Sequence, residues 1–195
     1  MAQYGGLASL AGIQLPSSSG GGQTELLQEV MRSRMFVTEF IAKHELAPRL
    51  MALKSYDPIV QTETIDSEVF DEATGVWLRE AMPPRGAEPS HQELYEAFTT
   101  AFSIEQDKTS PLIVVSFEHQ SPLLGEEVVR LMVSEIDDYA REKDKRKAQD
   151  SIEYLEAKLR ETKLVEVEKV LYQMIESQTK TLMLAEVNDD YAFRV

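Results

Sequence analysis

From Glu126 to Val195 the chain runs for 70 residues without a glycine or a proline. These are the two residues that most strongly punctuate backbone structure, so a stretch of this length without them must be built mainly from long regular elements. Its apolar residues recur with a helical period. Val128, Met132, Ile136, Tyr139 and Ala140 form one stripe, and Ala148, Ile152, Leu155 and Leu159 resume it. A second stripe runs through Val167, Leu171, Met174, Ile175, Gln178, Leu182 and Ala185. Between the two parts of the first stripe, Arg141 to Lys147 contains no apolar residue. A helix from Glu126 to Thr162 would be about 55 Å long at 1.5 Å per residue, longer than the domain that holds it is wide. Part of it must therefore leave the globule. The polar window predicts a turn of helix with no core neighbour, and the stripe beyond it needs cover. Two arrangements supply that cover. The segment 165 to 187 can return along the first helix after a reversal at Glu161-Thr162-Lys163-Leu164, or the whole stretch can form one helix in an intermolecular coiled coil.

The first 125 residues read differently. Residues 1 to 23 are rich in Gly, Ala and Ser, and 16 to 22 have the composition of a flexible linker. Thr24 is the expected N-cap of a first helix carrying Leu27, Val30, Met31, Arg34, Val37, Phe40 and Ile41 at helical spacing. His44 to Leu53 reads as a broken continuation, with Pro48 interrupting it or starting a short helix. Asp57-Pro58 and Met82-Pro83-Pro84-Arg85-Gly86 are turns. Val76, Trp77 and Leu78 are expected to anchor this segment on the core, with Trp77 as a sugar platform the other reading. Ser90 is the expected cap of a helix burying Leu94, Tyr95, Phe98 and Phe102. Ser103 to Gln106 and Leu112 to Glu118, across a polar loop at 107 to 110, read as a β-hairpin.

Composition narrows the function classes. The formal net charge is −14, which argues against nucleic acid as a partner and against docking through a broad basic face on anionic lipid. There is no cysteine, hence no disulfide, thiolate metal site or cysteine nucleophile. No stretch approaches the roughly 20 apolar residues of a membrane span, and the start lacks the basic region and apolar core of a signal peptide. The strand-like alternation Tyr191 to Val195 stops abruptly, which suggests a piece of a longer protein.

Catalytic patterns are missing. His44, His91 and His119 are scattered, and His44-Glu45 does not begin a zinc-protease motif because position 48 is proline. There is no phosphate-binding glycine loop and no nucleophile elbow. The adjacent carboxylates Glu126-Glu127, Asp137-Asp138 and Asp189-Asp190 cannot share a site on a helix, where neighbours point about 100° apart. No enzymatic activity, cofactor or metal is expected. The basic window Arg141, Lys143, Lys145, Arg146 and Lys147 is a candidate contact for an anionic glycan, a lipid-linked pyrophosphate or another subunit. Its other reading is a solvated helix carrying pairs such as Glu142–Arg146. Val129, Val133, Tyr154 and Val165 fall off the main stripes and are candidates for an oligomer interface, since apolar residues exposed along a projecting arm mark interaction sites.

An ordered series of segments resembles one family. Arg34-Met35-Phe36-Val37-Thr38-Glu39-Phe40-Ile41 followed by Leu46-Ala47-Pro48-Arg49-Leu50 is similar to the first periplasmic helix of Wzz-type polysaccharide co-polymerases. Glu118-His119-Gln120-Ser121-Pro122 resembles that family's step from strand to long helix. Ser151-Ile152-Glu153-Tyr154-Leu155, with Leu159 and Thr162, resembles its extended helix. Ile175-Glu176-Ser177-Gln178, Met183-Leu184-Ala185 and Tyr191-Ala192-Phe193 resemble its return to the base, and Leu7-Ala8-Ser9-Leu10-Ala11-Gly12 its small-residue entry.

The resemblance implies an α+β fold. A membrane-proximal base at 1–125 with a small mixed sheet would carry an extended helical arm at 126–187 and a final base strand within 188–195, and strand 191–195 is expected to share a sheet with 112–117. It implies transmembrane helices flanking the chain, placing it at the bacterial inner membrane and facing the periplasm. The implied partners are further copies in a ring-like homo-oligomer, the membrane polymerase and the growing lipid-linked glycan. The implied role is control of O-antigen chain length. Two other readings are the periplasmic domain of a polysaccharide-export tyrosine autokinase and a cytosolic coiled-coil adaptor.

Overall fold

Helix α1 spans Gly20–Arg32 and α2 spans Arg34–Lys43 in the computed structural model, which describes residues 20–106, 112–187 and 191–192. The stripe from Leu27 to Ile41 predicts one helix, but Ser33 divides it. Its backbone is extended (φ −66°, ψ 141°), and its hydroxyl oxygen accepts from the Phe36 N–H at 3.4 Å. A serine that caps in this way satisfies one of the four amides that a helix start leaves open. Helix α1 begins at Gly20 rather than at Thr24, so Gly20 to Gly22 are helical rather than linker. Leu27 and Met31 are buried and fix the helix, which then extends toward its N-terminus at little nucleation cost. Residues 16 to 19 lie outside the described residues.

A five-residue helix α3, Ala47–Met51, has proline in its first turn. Strands β1 (Leu53–Asp57) and β2 (Thr62–Ile65) then form an antiparallel hairpin. The short strands β3 (Phe70–Asp71) and β4 (Val76–Trp77) pair next. Trp77 does not anchor this segment on the core as expected. It packs on its cross-strand partner Phe70, with ring centroids 4.8 Å apart, while Val76 and Leu78 are exposed. The ladder is only two residues long, so the indole meets its neighbour across the strand and not the domain interior.

Helix α4, His91–Ala101, starts with the cap expected at Ser90, which Glu93 completes into a capping box. It runs directly into β5 (Phe102–Gln106), which pairs antiparallel with β6 (Ile113–Phe117). The predicted hairpin is therefore present, with its loop outside the described residues. The core lies where α1, α2, α4 and this hairpin meet the first half of α5, Pro122–Glu161. Phe98 sits at its centre, with ring centroids 5.8 Å from Phe40, 5.3 Å from Phe102 and 5.2 Å from Phe117. Of the expected stripe, Val128, Met132, Ile136 and Ala140 are buried here, while Tyr139 is exposed. Ser121 caps α5 by accepting from Leu124 N–H at 3.2 Å. Gly125 lets the helix approach β6 closely, since a Cβ there would meet the Phe117 carbonyl oxygen at 3.2 Å.

Helix α5 is 40 residues long, roughly 60 Å at 1.5 Å per residue. The chain reverses through Thr162 to Leu164, and α6 (Val165–Val187) returns along α5, so the arm is a helical hairpin and not one continuous helix. Ala148 and Leu155 of α5 and Ala185 of α6 are buried.

The architecture is α+β with a long helix pair, as expected. Two details differ. The sheets are separate antiparallel pairs, with no mixed sheet among the described residues. At Tyr191 and Ala192 the chain bends and does not pair with β6. The backbone N–H groups of both residues donate to the Asp137 carboxylate, so they are spent on a side chain rather than on a ladder. The rest of the predicted strand, 188–190 and 193–195, lies outside the described residues.

Candidate interaction surface

Helix α6 has two faces. Leu171, Met174, Ile175, Gln178 and Leu182 of the expected stripe face α5 and are half-buried, its first member Val167 is exposed, and Ala185 is the one fully buried residue of the helix. On the other side Val165, Tyr172, Met183 and Val187 are exposed, Val165 by 78% and Tyr172 by 60%. They stand seven, eleven and four residues apart. At about 100° per residue these spacings put all four on one stripe. Glu168, Lys169 and Glu176 flank it and share with Val165 and Tyr172 a shallow depression of about 360 Å³. An apolar stripe on the solvent side of a helix that already has a packed side is the pattern of a surface awaiting a partner.

The four apolar candidates divide between two places. Tyr154 is exposed on α5, with the Lys158 ammonium 5.8 Å from its ring centroid. Val165 opens the α6 stripe. Val129 and Val133 are half-buried near the start of α5, where with Phe117, Gly125 and Arg130 they line a groove of about 530 Å³. The arm stripe and this groove are therefore distinct surfaces. The sequence signal that could have found the arm stripe is the seven-residue recurrence Val165–Tyr172.

The five basic candidates do not form a patch. Arg141 pairs with Asp137 at 2.9 Å and with Asp138 at 3.3 Å. Lys143 lies over the Tyr139 ring at 5.7 Å. Lys145 pairs with Glu142 at 3.4 Å, the partner that the sequence assigns to Arg146. Arg146 and Lys147 are exposed and make no ion pair among the described residues. Successive residues diverge by about 100°, so the charges spread around the helix.

The window is also not without neighbours, because Tyr191 reaches it and donates its hydroxyl to Asp144 at 2.8 Å. Burial, and then this bond to Asp144, raise the Tyr191 phenol well above its ordinary value. Asp137 is the centre of the same contact. It accepts from the N–H of Tyr191 at 2.9 Å, from Ala192 N–H and from Arg141. Nothing in the pair Asp137-Asp138 distinguishes this buried acceptor from its exposed neighbour except the helical stripe, on which Asp137 follows Ile136.

A second polar cluster ties the β1–β2 hairpin to the start of α5. Arg49 donates to both oxygens of Glu63, at 2.6 and 3.1 Å, and to Glu127. The Ser121 hydroxyl also donates to Glu63, and Gln120 donates to the Leu53 carbonyl at 3.0 Å. Burial by itself would raise the Glu63 carboxyl, but hydrogen bonds from Arg49 and Ser121 outweigh it and hold the group below the usual carboxylate range. Burial lowers the His119 imidazole nearby. The cluster is a bidentate, charge-assisted brace. Both oxygens of Glu63 accept hydrogen bonds from within the chain.

Among the described residues no three or more His, Asp or Glu side chains stand where they could hold one metal ion, and no helix is long and apolar enough to cross a membrane. No protein-family model, curated protein or solved structure matches this chain.

Proposed function

We propose that this chain is the periplasmic part of a Wzz-type polysaccharide co-polymerase, held at the bacterial inner membrane. It sets the length distribution of a surface polysaccharide of the O-antigen class through the geometry of an assembly of copies, without catalysis of its own. Its partners are other copies, the membrane polymerase and the growing lipid-linked glycan. The ordered series of segments from Arg34 to Phe193 supports the family reading. The observation that carries the mechanism is helix α6: 23 residues with one buried side chain and an exposed apolar stripe opposite the packed face. Covering a branched or aromatic side chain is worth roughly 1.5–3 kcal/mol, so the stripe favours lateral association of arms. An assembly of projecting arms offers the polymerase and its glycan a scaffold of fixed dimensions.

The test uses the full-length protein in a bacterium lacking its own length regulator. Tyr172→Asp combined with Met183→Asp is expected to shift or broaden the polysaccharide ladder on a gel while total polymer persists. An unchanged ladder from a variant whose association is lost would overturn the proposal.

A further inference from the structure

The β1–β2 hairpin ends in an apolar tip that no described residue covers. Ile59 is 90% exposed and Val60 66% exposed, the former the most exposed large apolar side chain among the described residues. The tip has a fixed form. The Asp57 carboxylate accepts from Ile59 N–H at 2.8 Å and from Val60 N–H at 3.3 Å, and Gln61 closes the turn in the left-handed region at φ 53°. The strands behind it are braced on α5 through Arg49, Glu63 and Ser121. Two branched aliphatic side chains are thus presented on a turn whose backbone is already fixed, so seating them costs little backbone ordering.

The same chain carries a matching hollow. The groove of about 530 Å³ is walled by Phe117, Val129 and Val133, with Gly125 on its floor. It is large enough for the two aliphatic side chains. Arg130 stands at its rim, exposed and with no ion pair among the described residues, opposite in charge to Asp57 of the tip. Glu126 shares the rim, so the apolar fit matters more than charge. Knob and hollow do not meet within one chain, because the tip is open to solvent. The acidic tip is also a poor match for an anionic lipid surface.

We infer that the Ile59–Val60 tip of one copy seats in the Val129–Val133 groove of the next. The contact joins different surfaces of identical chains. Such head-to-tail contacts repeat, and they close into a ring when the rotation permits. The inference rests on the proposed assembly but is independent of the α6 stripe.

The chain has no cysteine, so single cysteines can be placed cleanly. Chains bearing Ile59→Cys are mixed with chains bearing Val133→Cys and treated with a short bismaleimide. Covalent dimers in the mixture, well above those from either chain alone, are expected. Ile59→Asp with Val60→Asp should weaken self-association roughly tenfold or more in sedimentation, with the melting temperature unchanged because both residues are exposed. Homotypic dimers as abundant as the mixed ones, or none under conditions where oligomers persist, would overturn the contact. So would flotation with phosphatidylethanolamine–phosphatidylglycerol vesicles that the two aspartates abolish without affecting association, since the tip would then be a lipid wedge. If Tyr172→Asp dissociates the copies and the tip variant does not, the assembly stands and this contact is wrong. If no condition yields an assembly, both fall.

Discussion

The carboxylate of Asp137, in the middle of α5, holds the backbone N–H of Tyr191 at 2.9 Å, across 54 residues of arm and return. With the Ala192 N–H and the Arg141 guanidinium on the same carboxylate, this contact closes the helical hairpin at its base.

Asp137→Ala should therefore loosen the return. It strips an acceptor from two amides and a half-buried arginine, and a loss of roughly 2–3 kcal/mol is expected. Urea unfolding measures the loss, and hydrogen exchange at Tyr191 and Ala192 should accelerate selectively. Asp137→Asn keeps one carbonyl oxygen and should cost less. Equal stability of wild type and the alanine variant would remove Asp137 from this role.

Alkaline titration tests the other end of the contact. Burial, and then Asp144, raise the Tyr191 phenol, so folding favours its neutral form. A group raised on folding contributes stability that is full below its unfolded value, about 10 for tyrosine, and is lost as pH climbs toward the folded one. Tyr191 should stay un-ionised by near-ultraviolet absorbance at pH values where exposed tyrosines titrate. Tyr191→Phe should flatten the alkaline fall in stability and cost about 1 kcal/mol at neutral pH.

In acid the sign reverses. The backbone N–H of Ser90 first, then the Ser90 hydroxyl and Arg79, lower the Glu93 carboxyl to about 2. Its contribution is full above the unfolded value of about 4.3 and disappears as pH falls toward 2. Carbon-detected titration of Glu93 should show the depressed midpoint. In Ser90→Ala, which breaks the reciprocal cap, that midpoint should move up toward the ordinary range.

The arm was legible in the sequence because a stretch lacking both Gly and Pro leaves helices as its main building block, and Thr162 to Leu164 held the reversal without any punctuating residue. Ser90 and the hairpin of β5 and β6 were legible for the same reason: local chemistry decided them. Ser33 was not, because a continuous apolar stripe runs past a capping residue that the tertiary packing chooses to use. The clamp at Asp137 and the brace at Glu63 were hidden because their partners lie 54 and 14 residues away. Helical spacing could spread the basic window around α5, but only the packed arm separates Val129 and Val133 from Val165.

Whether a neighbouring copy covers α6 decides the proposed mechanism most directly. A chain carrying Tyr172→Cys as its sole cysteine, in the membrane where the proposed function places it, can be labelled with a thiol reagent and compared with Glu72→Cys, which is exposed just after β3. Slow labelling at position 172 is expected in the intact assembly, and fast labelling at both positions once detergent has dissociated the copies. Equally fast labelling at 172 and 72 in an intact assembly would contradict the proposed mechanism.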